Sequence, residues 1–457
     1  MFIYPLTMEK DLISIYSTLD RGQDSFWLDS SMQHNELGRY SFLGVNPIFS
    51  LRSKGEVLEW REEGGWYATS GNPLAFIDSF LQDYEGIKEK LDNYPFPFAG
   101  GLVGYLAYDL KNQIERDLII KNHPSDVYDQ YWGVYDTFLV EDHLLQQKYI
   151  VGPSQDKIDK LKDLIETNFK NVNHDNYISL GKLRSNLTKD EYIEKINKVK
   201  NSIKTGELEQ INLSQVFTFP ITGNPLNYYK ILRKVSPSYF GAFLHYPEYD
   251  VISISPERFI QIKDNKLQTK PIKGTRPRGE NAKEDEKYRQ ELANSSKEKK
   301  ELKLIVDMEC SNLESISIPG TVKVSDLYNI TAHPTIFHLD ATIDCTLKPH
   351  ISYEEILRAT FPGSSITGRP KRKAFKIIEE LEPVARGIYT GSIGYIDFRG
   401  NSDLSVAIRT TLVKEGIGYY HAGGGLTIDS NPEEEYQETW DKVKAVLLVQ
   451  EEVKKGD

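Results

Sequence analysis

The chain has 457 residues, 39% hydrophobic and 27% charged, the balance of a soluble globular protein long enough for two to four domains. A formal net charge of -11 argues against nucleic-acid binding through a broadly basic surface, so an anionic ligand needs a local site. Cys310 and Cys345 are too few for a disulfide framework and fit a reducing cytoplasm. The start, MFIYPLTMEKDLISIY, lacks the pattern of a secretory signal, and no run approaches the roughly 20 apolar residues of a membrane span.

Residues 1–150 read as short strands separated by turns: 25–29, 39–44 and 131–140 are rich in aromatic and aliphatic residues, and PFPFAGGLVG (95–104) has the Pro and Gly of a sharp turn. Residues 151–187 are polar and read as a helix plus a connector. Thr188 and Glu191 then form a capping box. Tyr192, Ile196, Val199 and Ile203 follow at helical spacing, and Gly206 ends the helix. Leu208 to Phe219 reads as a strand, and strands recur at 250–262, 390–398, 405–413 and 417–425. Long charged helices are expected at 283–308, 370–381 and 433–453. Strands and helices without a regular βαβ rhythm predict an α+β fold, a β-sandwich core with helices outside.

Glu298 and Glu301 are spaced i, i+3, as are Glu435 and Glu438, so each pair puts two carboxylates on one helix face. Two such faces brought together make an oxygen-only cage suited to Mg²⁺, although either pair alone is usually solvated surface. Three further segments could hold an anion. PGSSITGRPK (362–371) leads into a helix start, HAGGGLTIDS (421–430) has three bare glycines, and Arg409 lies on an apolar strand where a charge needs a partner. A cap, a turn and a salt-bridged arginine are the plainer readings.

In this order the segments SPERF (255–259), PIKGTRPRG (271–279), ELKLIVDM (301–308), PGSSITGRPK, ARGIYTGSIGY (385–395), AIRT (407–410), GGGLTIDS (423–430) and EYQETWDKVKA (435–445) closely resemble the chorismate-utilising enzymes, the anthranilate synthase component I group. The resemblance covers 188–450 and extends more weakly to WLDS (27–30), GRYSFLG (38–44) and PFAGGLVGYLAYD (97–109). It implies a large two-subdomain fold, with residues 1–150 as the N-terminal region, 151–187 as a connector and 188–452 as the chorismate-binding catalytic domain. It implies that Glu301 and Glu438 ligate Mg²⁺ directly or nearly so, while Glu298 and Glu435 hold its waters. Tyr389, Arg409 and the backbone of Gly423, Gly424 and Gly425 match positions that bind the enolpyruvyl carboxylate. Thr367 and His338 fall at further substrate-pocket positions.

Two positions bear on the reaction. Gln210 stands where water-adding members have a lysine, and a glutamine cannot be that base. Lys273, in PIKGT, resembles the aminodeoxychorismate synthases, whereas anthranilate synthases resemble PIAGT. The resemblance therefore implies Lys273 as covalent nucleophile and Glu257 as general acid in amination of chorismate at C4. Neither cysteine has an amidotransferase context, so ammonia is expected from a separate glutamine amidotransferase subunit in a heterodimer. Anthranilate synthase component I and a non-catalytic chorismate-binding subunit are the alternatives. The sequence departs from the family's usual D-L-x-R-N-D-L at Cys310, Ser311 and Asn312, and from the usual glycine and alanine at Ser364 and Arg369. WLDS lies in the region that binds tryptophan in relatives and is expected here to be core packing.

Overall fold

The capping box is made by both partners. The Thr188 side chain accepts the Glu191 backbone N–H, and the Glu191 carboxylate accepts the N–H of Thr188, opening the helix Lys189–Lys204. Its buried stripe is Tyr192, Ile196 and Val199, packed against Ile211 and Leu213 of the strand Gln210–Gly223. Gly206, at φ +75°, follows the last turn. A computed structural model describes the chain apart from residues 9, 20–23, 33–36, 63–64, 92, 119–120, 170–176, 334–335 and 457, and the side chains at 88–89 and 168–169. Residues 170–176 of the expected connector thus lie outside the described residues.

Two antiparallel sheets, of 13 and 12 strands among the described residues, form the α+β core. Aromatic side chains from both, such as Phe26 and Phe42 of the first and Tyr105, Tyr131 and Tyr395 of the second, fill the space between them. Helices Leu12–Thr18, Gln155–Phe169, Pro225–Val235 and Pro432–Gly456 cover the outer face of the first sheet. Helices Phe76–Asp83, Ser296–Glu314 and Tyr353–Thr360 cover that of the second. This is the layered solution that lets each sheet bury both faces. Strands from residues 1–150 and from residues 188–452 stand side by side in both sheets, so the expected boundary divides the sequence rather than the space. No described helix is long and apolar enough to cross a membrane, and both cysteines are free.

Three runs expected as single strands are each broken, because the chain changes sheets within them. The run 250–262 divides into Asp250–Ser255 in the first sheet and Arg258–Lys263 in the second. Pro256, which has no N–H to give a ladder, stands at the break. The run 405–413 divides into Ser402–Val406 and Thr410–Lys414, with Arg409 at φ +50° between them. The run 131–140 divides into Gln130–Tyr135 and Phe138–Asp142. The expected helix 283–308 is likewise two, Ala282–Asn294 and Ser296–Glu314, joined at Ser295.

Within WLDS, Trp27 is buried in the core against Tyr16 and Tyr229, as core packing predicts. Asp29 and Ser30, however, line a cavity of about 660 Å³ between the sheets, and Asp29 is ion-paired with Arg233 at 2.7 Å.

Candidate active site

The first two sheet changes lie side by side. The Ser255 hydroxyl donates to the Val406 carbonyl at 2.6 Å, the Val406 N–H donates to the Glu257 carbonyl at 3.0 Å, and the Ile254 N–H donates to the Arg409 carbonyl at 3.2 Å. These bonds aim Glu257 and Arg409 into one cavity of about 620 Å³. Arg409 adopts a left-handed backbone that non-glycine residues take at a cost of order 1 kcal/mol, and such strain collects at functional sites. Among the described residues its guanidinium has no ion-pair or hydrogen-bond partner, which leaves its planar fork open to a carboxylate.

Lys273 reaches the same cavity from the strand Ile272–Pro277. The pairing of this strand with Ile336–Thr346 slips between Lys273 and Thr275, a bulge centred on Gly274 at φ +72°. A Cβ on Gly274 would stand 2.8 Å from Glu298 Cγ and from Leu292 Cδ1, so only glycine lets the strand pass this close to the acidic helix. Lys273 Nζ donates to the Ser365 carbonyl at 3.2 Å and lies 3.7 Å from where a Cβ on Gly425 would be. Glu257 is buried, and one of its oxygens has no partner among the described residues. Burial raises its pKa above the ordinary carboxylate value despite the pull of Lys273. It is thus suited to carry a proton into the cavity.

The strand Ile417–Leu426 brings the three glycines against Gln210–Gly223, pairing Gly423 with Ser214, Gly424 with Leu213 and Gly425 with Asn212. Their bare backbone serves both faces. A Cβ on Gly424 would meet Glu435 Oε2 at 3.1 Å and Glu438 Oε1 at 3.5 Å, and one on Gly425 would meet Gln210 Nε2 at 3.0 Å. Gln210 is buried behind that glycine with its Oε1 unpartnered among the described residues.

The four glutamates converge on the cavity, yet among the described residues no three acidic, histidine or cysteine side chains form a closed metal cage. Three of the four carboxylates are ion-paired instead. Arg276 takes Glu298 at 3.0 Å, Lys297 lies 3.5 Å from Glu435, and Lys442 takes Glu438 at 2.6 Å. Burial raises Glu435, with Glu438 adding to the effect; it raises Glu301 against the pull of Lys273 and Lys297. Burial raises Glu438, but Lys442, with Lys273 and Lys297, more than offsets it, so its net shift is down. Mg²⁺ needs only one or two carboxylates beside water and an anionic substrate. Glu301 Oε1, buried without a partner among the described residues, and the oxygens of Glu435 and Glu438 beside bare Gly424 meet that demand.

Tyr389 lines the cavity, its ring stacked on His421. Burial raises its phenol, against nearby Arg386. His338 also lines the cavity. Burial, with His333 and Arg409, keeps it neutral, and its Nδ1 has no partner among the described residues. Thr367 sits behind the wall, its hydroxyl donated to the Gly363 carbonyl at 3.0 Å, while its neighbours Ser365 and Ile366 line the cavity. Two departures from the family pattern meet: the Asn312 amide donates to the Ser364 hydroxyl at 3.1 Å, and Glu309 on the same helix accepts the Ser364 N–H at 2.8 Å. They stitch the helix that carries Glu298 and Glu301 to the loop that lines the cavity.

Sequence reasoning missed Arg276, Lys297, Lys442, Asn212 and His421, all of which line the cavity. Local spacing could have found some. Lys297 and Glu301, like Glu438 and Lys442, are i, i+4 on a helix, and Asn212 is two residues from Gln210 on one strand face. The lining carries six acidic and six basic side chains, so the site is locally balanced within an acidic protein.

A family model described as chorismate binding enzyme matches residues 23–448. The chain is 34% identical over 420 residues to aminodeoxychorismate synthase component 1 of Escherichia coli (strain K12), covering 92% of each chain. It is 32% identical over 453 residues to anthranilate synthase component 1 of Aquifex aeolicus (strain VF5), covering 95% of this chain and 91% of that relative. The solved structure of anthranilate synthase component I from Streptococcus pneumoniae TIGR4 superposes with a TM-score of 0.79 at 28% identity, covering 92% of this chain and 94% of that one. The menaquinone-specific isochorismate synthase of Escherichia coli gives a TM-score of 0.74 at 17% identity, over 98% of this chain and 94% of that one, a likeness of fold alone.

Proposed function

The chain belongs to the chorismate binding enzyme family, and from that premise we propose that it aminates chorismate at C4 to give 4-amino-4-deoxychorismate, for p-aminobenzoate and folate synthesis in the cytoplasm. The observation that carries the reading is Lys273. It projects from a bulged strand into the cavity, within the electrostatic reach of buried Glu257 and beside the bare backbone of Gly425.

In the proposed sequence the free amine of Lys273 attacks C2 of the ring. Both conjugated ring double bonds shift, the C4–O bond breaks, Glu257 gives its proton to the leaving hydroxyl to release water, and its carboxylate then takes a proton from the attached lysine nitrogen. Ammonia then attacks C4, both double bonds shift back, the C2–N bond to Lys273 breaks, and the departing lysine nitrogen takes back that proton from Glu257, which regains one from the new ammonium group. The enolpyruvyl group stays on the product. Arg409 pairs with one substrate carboxylate, and Tyr389 and the Gly423–Gly425 backbone frame the same end. Charge balance supports a dication, because a dicarboxylate entering a locally neutral site adds two negative charges. Mg²⁺ held by Glu301 and Glu438, with Glu298 and Glu435 toward its waters, would supply that charge when bound. Ammonia comes from a separate glutamine amidotransferase subunit, and neither nucleic acid nor a membrane is a partner in this reading.

Product identity tests the proposal. The purified chain, given chorismate, Mg²⁺ and ammonium at mildly alkaline pH, is expected to yield a product that has amine in place of hydroxyl and keeps the enolpyruvyl group. Lys273→Ala is expected to slow this reaction at least about 10²-fold, the scale of a lost catalytic group, and to divert residual turnover toward attack at C2. Anthranilate and pyruvate from the unaltered chain would replace the reading with anthranilate synthase component I, and binding without turnover would replace it with a non-catalytic subunit.

A further inference from the structure

His123 and His421 are both buried, and their Nε2 atoms face each other at 3.4 Å. His123 lies outside the cavity lining, just before the strand Gln130–Tyr135, and His421 is in the lining on Ile417–Leu426. Two facing ring nitrogens form a hydrogen bond only when one holds a proton and the other a lone pair. The structure decides which is which. His123 Nδ1 receives the backbone N–H of Ser125 at 3.1 Å, and a backbone N–H can only donate. That nitrogen is therefore a lone-pair acceptor, and the Ser125 hydroxyl, 2.5 Å from it, donates as well. In a neutral ring the His123 proton must then sit on Nε2, which donates to His421 Nε2. His421 is left with its proton on Nδ1. Neutral rings are what the surroundings favour. Burial, with Lys54 and Lys414 nearby, lowers His123 to about 4, and burial, with His123 and Arg386, holds His421 well below its ordinary value.

His421 lies almost parallel to Tyr389, with ring centroids 5.2 Å apart and planes 15° from each other. Its Nδ1 has no hydrogen-bond partner among the described residues, although the ring lines the cavity. We propose that His123 locks His421 as the Nδ1–H tautomer, so that His421 and the Tyr389 ring it stacks on form a neutral wall whose single N–H donates to a substrate carboxylate. This rests on the reading that the cavity takes chorismate. His421 is then a substrate-binding residue, and His123 a positioning residue acting through it. A neutral donor gives direction without adding charge to a wall whose acids and bases already balance.

The test has two arms. In ¹⁵N spectra of the histidine side chains of the intact protein, His421 should show a protonated Nδ1 and His123 a protonated Nε2, with the signals assigned by loss in His421→Asn and His123→Gln. In kinetics with chorismate and ammonium, His123→Leu should raise KM about tenfold, the scale of a lost hydrogen bond to a charged group, while kcat stays within about twofold. His123→Gln places an amide N–H where Nε2–H was and should restore KM. A protonated Nε2 on His421, or a His123→Leu variant with unchanged KM, overturns the proposal, and the spectra decide even if that variant fails to fold. Wild-type protein that binds no chorismate overturns the functional reading and this proposal together, whereas wild type that binds it while His123→Leu binds it equally well overturns this proposal alone.

Discussion

Gly424→Ala is the sharpest probe of the acidic wall, because its neighbours are functional groups rather than structural ones. The new methyl carbon would lie 3.1 Å from Glu435 Oε2 and 3.5 Å from Glu438 Oε1. The first distance is roughly 0.3 Å short of comfortable contact. Glu435 cannot easily retreat, since it is buried and the Ser430 hydroxyl donates to its other oxygen at 2.7 Å. Gly424 is not in the left-handed region, so alanine can adopt its backbone, and the fold should lose no more than about 1 kcal/mol. The proposed Mg²⁺ ligands, however, are displaced, and the Mg²⁺ concentration for half-maximal turnover should rise about tenfold. Gly423→Ala is the control. Its Cβ would stand 2.3 Å from the Leu213 carbonyl of the adjoining strand, where only backbone can yield, so it should lose more than about 2 kcal/mol of stability. Mg²⁺ titrations of chorismate turnover, read by mass detection and paired with thermal melts, separate the two effects. An unchanged Mg²⁺ requirement in Gly424→Ala, or a melt lowered as far as that of Gly423→Ala, would refute the reasoning.

Burial sets Glu257 above the ordinary carboxylate range, and a general acid works only while protonated, so turnover should fall as pH rises through that raised value. Glu257→Gln should remove this limb and slow turnover at least about 10²-fold; a pH profile identical to the wild type would rule the role out. The same shift has a stability consequence. The folded chain holds the Glu257 proton more tightly than the unfolded chain, so its contribution is present below the unfolded pKa and lost as pH rises through the folded one, and melts of Glu257→Gln should show less of this decline. Arg409→Gly should hold or raise the melting temperature, because it relieves a left-handed backbone, while chorismate affinity falls more than about tenfold; a joint loss of both would make Arg409 a structural residue.

Local chemistry in the sequence determined much of this protein. The helix from Lys189 follows from an apolar stripe and a reciprocal cap, and each Glu-x-x-Glu pair shares a helix face because 3.6 residues make a turn. The ordered motifs identified the family, and the positions of Glu257, Lys273 and Arg409 within them were legible as candidate chemistry. The breaks at Pro256 and Arg409 were not legible. A strand that leaves one sheet for the other stays apolar throughout, since both sheets bury that stretch, and its sequence keeps the look of one strand. Nor could spacing foresee Arg276 against Glu298, Lys297 against Glu435, Lys273 beside Gly425, or His123 against His421. Spacing reports neighbours within a turn or along a strand. Contacts between segments far apart in the chain exist only after the sheets have paired and packed, so tertiary structure alone decided which charges meet, which are paired and which atoms are left free for a ligand.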